Sequence, residues 1–161
     1  MSKLVFILTI SLFSVAAFAK DDLFEIIDLD RSYLLQRKLF LLVKTETGPI
    51  WIIPRSQAQI DYLTTNPVNE SDSKDPYRSI KPEFFVVKPL CVCSGTLPRY
   101  MFPDEGFLKG IMPGGFWCAQ DQSLFDISGR VIASNCDTTN FVIPEYEYLD
   151  DNTIKVFKGD T

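Results

Sequence analysis

The sequence predicts an all-β domain, a sandwich or barrel of short strands. Short apolar runs rich in β-branched and aromatic residues recur along the chain. Gly, Pro, Asn and Asp clusters separate them. There is no internal repeat and no low-complexity segment. Runs of this kind, evenly spaced between turn signals, read as an all-β architecture.

The elements follow in order. Residues 39–44 (L-F-L-L-V-K) and 50–53 (I-W-I-I) read as two strands. Glu46-Thr47-Gly48-Pro49 lies between them and predicts a hairpin with a Gly-Pro turn. Ser56 to Thr65 predicts a short helix with Ser56 as N-cap. Residues 66–78, polar and with two prolines, predict a surface loop. Phe84 to Leu90 predicts a buried strand running into Cys91, and Gly115 to Cys118 another. Phe125, Asp126, Val131 and Ile132 suggest a hairpin about Ser128-Gly129, with Asp126 capping the turn. Residues 145–149 and 153–157 predict a closing pair around Asp150-Asp151-Asn152. Trp51 and Trp117 are expected in the core.

Composition narrows the function. The 161 residues suit one domain, with 46% hydrophobic and 23% charged residues. A net charge of −5 leaves no basic footprint for nucleic acid. Nor does it favour anionic membranes. The first 19 residues read as a secretory signal peptide: Lys3, then Leu4 to Val15, then Ala17-Phe18-Ala19. A short membrane anchor is the competing reading. Both place residues 20–161 outside the cytoplasm. In an oxidising compartment Cys91, Cys93, Cys118 and Cys136 are expected as disulfides rather than free thiols. The chain contains no histidine, which excludes His-based triads and most zinc hydrolase sites. Ser123 and Ser128 have no evident base. Asp121 and Asp126 can be drawn as a carboxylate pair, but Asp126 fits the turn better. Asn69-Glu70-Ser71 matches a glycosylation sequon.

Two segments carry a resemblance. Residues 91–98 read C-V-C-S-G-T-L-P, and 114–130 read G-G-F-W-C-A-Q-D-Q-S-L-F-D-I-S-G-R. Together they resemble the cluster-binding loops of the Rieske iron–sulfur subunits of quinol–cytochrome c reductases, C-T-H-L-G-C-x-P and G-G-x-x-C-P-C-H-G-S-H-x-D-x-S-G-R. Residues 48–60, 75–87 and 144–156 are similar to further family segments in the same order. The resemblance therefore covers nearly all of residues 20–161. It implies a Rieske-like sandwich of small antiparallel sheets, with a cluster-binding-type subdomain at about 91–136.

Carried over residue by residue, the family's ligand cysteines fall on Cys91 and Cys118, and its ligand histidines on Cys93 and Asp121. The two halves of the family's disulfide fall on Thr96 and Gln120. Ser123 matches the serine that hydrogen-bonds a cluster sulfide. Phe125 stands where the family has a tyrosine bonded to a ligand sulfur. Ser134-Asn135-Cys136-Asp137 replaces the proline loop over the cluster, and Arg99 to Pro113 is a longer connection than usual. A Rieske cluster needs two imidazoles on one iron. A thiolate at 93 would lower its potential, and an aspartate at 121 is a poor proton partner near neutral pH.

The resemblance leaves two readings of the site. One is a metal centre, a 2Fe-2S cluster or zinc, held by Cys91, Cys93 and Cys118 with Asp121 or Cys136. The other is two disulfides. A Cys91–Cys93 bridge would close a strained loop. This leaves Cys91–Cys118 with Cys93–Cys136, or Cys91–Cys136 with Cys93–Cys118. The resemblance favours the first, because Cys91 and Cys118 fall on ligands of one iron. Rieske subunits typically leave the cytoplasm folded by a twin-arginine route, and this N-terminus has no Arg-Arg pair.

The expected function is a redox-silent accessory or assembly module of a respiratory complex, not an enzyme by itself. It would sit in the periplasm, on the outer face of the inner membrane, or in an intermembrane space. Its expected partners are respiratory-chain subunits, with any membrane association through an anchor or the partner complex. The alternatives are an electron carrier with an atypical 2Fe-2S cluster and a free secreted disulfide-stabilised binding domain.

Overall fold

A computed structural model describes residues 24–30, 34, 36, 40–45, 48–67, 74–103, 105–136 and 139–157. The expected signal peptide and the sequon lie outside them, as does part of the expected polar loop.

The described elements are β1 (Phe24–Asp28), β2 (Leu41–Thr45), β3 (Gly48–Pro54), helix α1 (Gln57–Thr65), β4 (Phe84–Val87), β5 (Arg99–Met101), a 3-10 turn (Gly106–Leu108), β6 (Gly115–Cys118), β7 (Ser123–Phe125), β8 (Val131–Ala133), β9 (Tyr146–Tyr148) and β10 (Thr153–Phe157). They form three antiparallel sheets, ordered β1-β10-β9, β2-β3-β4 and β5-β6-β7-β8. The fold is all-β, as the strand pattern predicts.

The sheet β2-β3-β4 is the centre of the molecule, and its sequence explains why. Side chains alternate between the two faces of a strand. Trp51 and Ile53 of β3, with Phe85 and Val87 of β4, pack into one core with Tyr100, Phe116, Phe125, Ile127 and Phe141. Ile50 and Ile52, with Phe84 and Val86, pack into a second core with Ile27, Leu29, Tyr146, Ile154 and Val156. A sheet covered on both faces needs continuous apolar strands, which I-W-I-I and F-F-V-V supply. One face therefore carries the terminal sheet and the other the four-stranded sheet.

Several boundaries differ from expectation. Gly48 and Pro49 belong to β3, where they pair with Thr45 and Lys44, rather than to the turn. Pro49 removes a backbone donor but lies near the strand's start, where that is tolerated. The strand from Phe84 ends at Val87, and Lys88 continues only as a bridge to Val142. The expected long connection from Arg99 to Pro113 contains β5, which pairs with β6, and the 3-10 turn. Trp117 is half-buried rather than in the main core and packs beside Met101, Leu108 and Met112. The segment before residue 29, which carries no predicted strand, forms β1 and pairs with β10 from Phe24↔Phe157 to Asp28↔Thr153.

Helix α1 starts where the N-cap signal places it. The Ser56 side chain accepts from the Gln59 amide, and the Gln59 side chain accepts from the Ser56 amide, a complete capping box. Gln59 then donates through Nε2 to the Pro113 carbonyl at 2.8 Å, tying the helix to the approach to β6.

Candidate functional site

The site lies at the ends of the elements that carry residues 91–96, 118–123 and 134–136. The first segment is a tight turn leaving β4. The Gly95 amide donates to the Cys91 carbonyl at 2.7 Å, and the Cys91 amide donates to the Thr96 carbonyl at 2.9 Å. Gly95 has φ +66°, a left-handed conformation that glycine adopts without strain. The second segment connects β6 to β7, whose register pairs Cys118 with Ser123. The third follows β8.

A separate framework holds the opposite end of the four-stranded sheet, where the turn after Phe125 leads into Val131. Asp126 Oδ1 accepts from the Ser128 amide at 2.7 Å, the Ser128 hydroxyl at 2.7 Å and the Arg130 amide at 3.0 Å. Arg130 lies beside the same carboxylate and donates to the carbonyls of Pro76 and Asp75. Arg78 donates to the carbonyls of Ser128, Gly129 and Phe141. Arg55, fully buried, donates to the carbonyls of Tyr77, Pro82 and Ile127 and lies over the Phe85 ring. Burial pulls its pKa down to about 10, so it remains charged at neutral pH; Asp126 opposes that shift. Asp126 is thus a structural turn residue, and the D-x-S-G-R motif is a hub that joins the turn to residues 75–82.

At the site itself, the four cysteines are paired. Cys91 is bonded to Cys118, with Cα atoms 5.8 Å apart, and both are buried. Cys93 is bonded to Cys136, with Cα atoms 6.4 Å apart, and both are exposed. Asp121, 7% exposed, stands between the pairs. One carboxylate oxygen lies within 4.8 Å of the sulfurs of Cys91 and Cys118, and one within 4.8 Å of those of Cys93 and Cys136. Asp121 Oδ2 accepts from the Cys93 amide at 3.3 Å. Ser123 is buried, and its hydroxyl meets the Asp121 carbonyl at 3.2 Å and the Ser134 hydroxyl at 2.7 Å. Phe125 stacks on Phe141, ring centroids 4.1 Å apart, so an apolar contact fills the position where the family has a tyrosine.

The exposed pair lines an open cleft of about 390 Å³ with Ser94, Gln120, Asp121, Gln122 and Asn135. Asn135 donates to the Gln122 side chain at 2.8 Å across its mouth. Sequence reasoning singled out neither Ser94 nor Gln122. Their only signal is their position beside Cys93 and Asp121.

The chain is 34% identical over 136 residues to the ubiquinol–cytochrome c reductase iron–sulfur subunit of Allochromatium vinosum, covering 76% of this chain and 65% of that protein. The chain belongs to the Rieske family. It is also 30% identical to the cytochrome b-c1 complex subunit Rieske of Candida albicans, over 72% of this chain and 51% of that one. The Rieske-1 subunit of Nicotiana tabacum is 29% identical over 71% of this chain and 42% of its own length. The chain thus spans roughly two thirds of the bacterial relative's length and less of the others. No family model matches it.

The donors present do not fit the family's cluster. That cluster needs two imidazoles, and this Rieske-family chain has no histidine. Ligand cysteines bind as thiolates, whereas all four sulfurs here are in disulfides. Ser123, whose family counterpart reaches a sulfide, instead joins the β7 start to the loop after β8.

Proposed function

We propose that this Rieske-family chain is an exported, redox-silent module that docks on a respiratory complex of the cytochrome bc1 type as an accessory or assembly subunit. The observation that carries the reading is the bond between Cys91 and Cys118. The two positions that match the family's ligand cysteines are bonded to each other, on a fold that is still all-β and built from three antiparallel sheets. Loss of both imidazoles points the same way: without them there is no proton partner for a quinol and no high-potential iron. The names of the relatives, subunits of ubiquinol–cytochrome c reductase and of the cytochrome b-c1 complex, support a respiratory complex as partner. Residues 91–136 would then serve as a cross-linked docking tip in place of a cluster carrier. The periplasm or the outer face of a membrane suits both the disulfides and the partner.

Iron, acid-labile sulfide and free-thiol content of the protein purified from its native compartment test this. The expected result is no iron, no sulfide and no free thiol, with co-purification of bc1-type subunits in mild detergent. About two irons and two sulfides per chain would overturn the redox-silent reading and make the cysteines ligands. Zinc without sulfide would instead mean a structural metal site.

A further inference from the structure

The two disulfides are chemically unequal, and the difference is built into the fold. Cys91 and Cys118 are 1% and 2% exposed and belong to the same apolar core as Trp51, Phe85 and Phe116. No thiolate can reach them without opening that core. Cys93 and Cys136 are exposed at the cleft. Thiol–disulfide exchange requires access to a sulfur along the S–S axis. We propose that Cys93–Cys136 is an exchange site for an external dithiol, while Cys91–Cys118 is an inert structural cross-link. The proposal rests on the reading above that the cysteines are disulfides and not ligands; redox-silent there means without a cluster, and thiol–disulfide exchange needs none.

The reaction balances as ordinary exchange. A thiolate of the partner forms a bond to one sulfur of the pair. The Cys93–Cys136 bond breaks, and the other sulfur leaves with the electron pair and takes a proton from water. The partner's second thiol, deprotonated, attacks the mixed disulfide and releases the second cysteine. Two electrons and two protons pass from the partner dithiol, which is oxidised to its disulfide, to Cys93 and Cys136, which are reduced.

The surroundings define the partner's class. The cleft offers neutral hydrogen-bonding groups from Ser94, Gln120, Gln122 and Asn135, which suit a polypeptide backbone. Among the described residues that line it, the one charged group is the Asp121 carboxylate, within 4.8 Å of both sulfurs. Against a chain of net charge −5, that carboxylate repels an anionic thiol and favours a neutral or cationic one. The partner is therefore a dithiol held in a neutral or positively charged polypeptide segment.

The full chain, as purified, is titrated with dithiothreitol, alkylated, and mapped by mass spectrometry. Cys93 and Cys136 are expected to be labelled at reductant concentrations about tenfold or more below those that label Cys91 and Cys118. Exchange with cysteamine, a cationic thiol, is then compared with 3-mercaptopropionate, an anionic one. The cationic-to-anionic rate ratio should fall severalfold in Asp121→Asn. In the unmodified protein it should fall likewise at about 1 M salt, where screening is within a few ångströms. That second arm does not depend on the variant folding. Simultaneous opening of both pairs, or earlier opening of Cys91–Cys118, would overturn the proposal. So would a ratio that ignores both salt and Asp121. Free thiols together with iron before any reductant is added would instead sink the redox-silent reading itself.

Discussion

Tyr100 lies under the aromatic core with its hydroxyl beside Gln59, and burial pushes its pKa up to about 12. Burial also raises Tyr62, Tyr146 and Tyr148 above the usual phenol value. Each is more readily ionised in the unfolded chain, so the native state holds more protons above about pH 10. The stability they contribute is complete below that value and is lost as pH rises through their folded values. Arg55, held down by burial, acts in the opposite sense over the same window, but one arginine opposes four tyrosines. Thermal unfolding should therefore occur at lower temperature at pH 11 than at pH 8, and Tyr100→Phe should weaken that dependence. An unchanged melting temperature would contradict the burial of these phenols. None of this was visible in the sequence, where a tyrosine in an apolar run and one at a surface look alike. The same holds for Arg55: its charge reads as surface, yet it is the largest fully buried side chain among the described residues, because three carbonyls and a ring face surround it.

At the scale of elements, the β5-β6-β7 crossing depends on a glycine pair. Gly114 has φ +116°, and a Cβ there would lie 2.9 Å from the Met101 carbonyl oxygen. At Gly115 an added Cβ would run into the Phe125 backbone carbonyl across the β6–β7 ladder. Gly115→Ala should destabilise the domain by about 1–3 kcal/mol, the cost of overpacking a close contact. Urea denaturation measures it, and a wild-type midpoint would mean that the strands can separate without cost. Elements with strong local signals were legible. The Ser56 cap and the Gly115–Cys118 strand stand where pattern reasoning puts them, and the I-W-I-I and F-F-V-V strands exist there with shifted ends, the first longer and the second ending at Val87 rather than Leu90. Strands without such signals were not. Arg99–Met101 reads as loop because a three-residue strand is too short to show alternation, and only its partner β6 defines it. Phe24–Asp28 is made a strand by β10, at the other end of the sequence.

Across the whole molecule, Cys91–Cys118 fastens the end of the central-sheet connection to β6 of the four-stranded sheet, closing a segment of sequence separation 27. A Cys91→Ala/Cys118→Ala double variant should lose about 2–4 kcal/mol, since the unfolded chain regains the freedom that the cross-link removes. Equal stability of the double variant and the parent in urea would show that this bond does not constrain the unfolded chain. The candidate site was legible as a place, because two cysteine-bearing loops resemble a known pair. It was not legible as a geometry, since the position of Asp121 between both sulfur pairs depends on three loops meeting. A different consequence follows from the doubly covered central sheet. Strand β3 has hydrogen-bonded neighbours on both sides and a packed core on each face. Its amides can exchange with deuterated solvent only when the entire domain opens. The isotope retained at Trp51 to Ile53 is therefore a gauge of global unfolding, insensitive to whatever happens at the exposed disulfide.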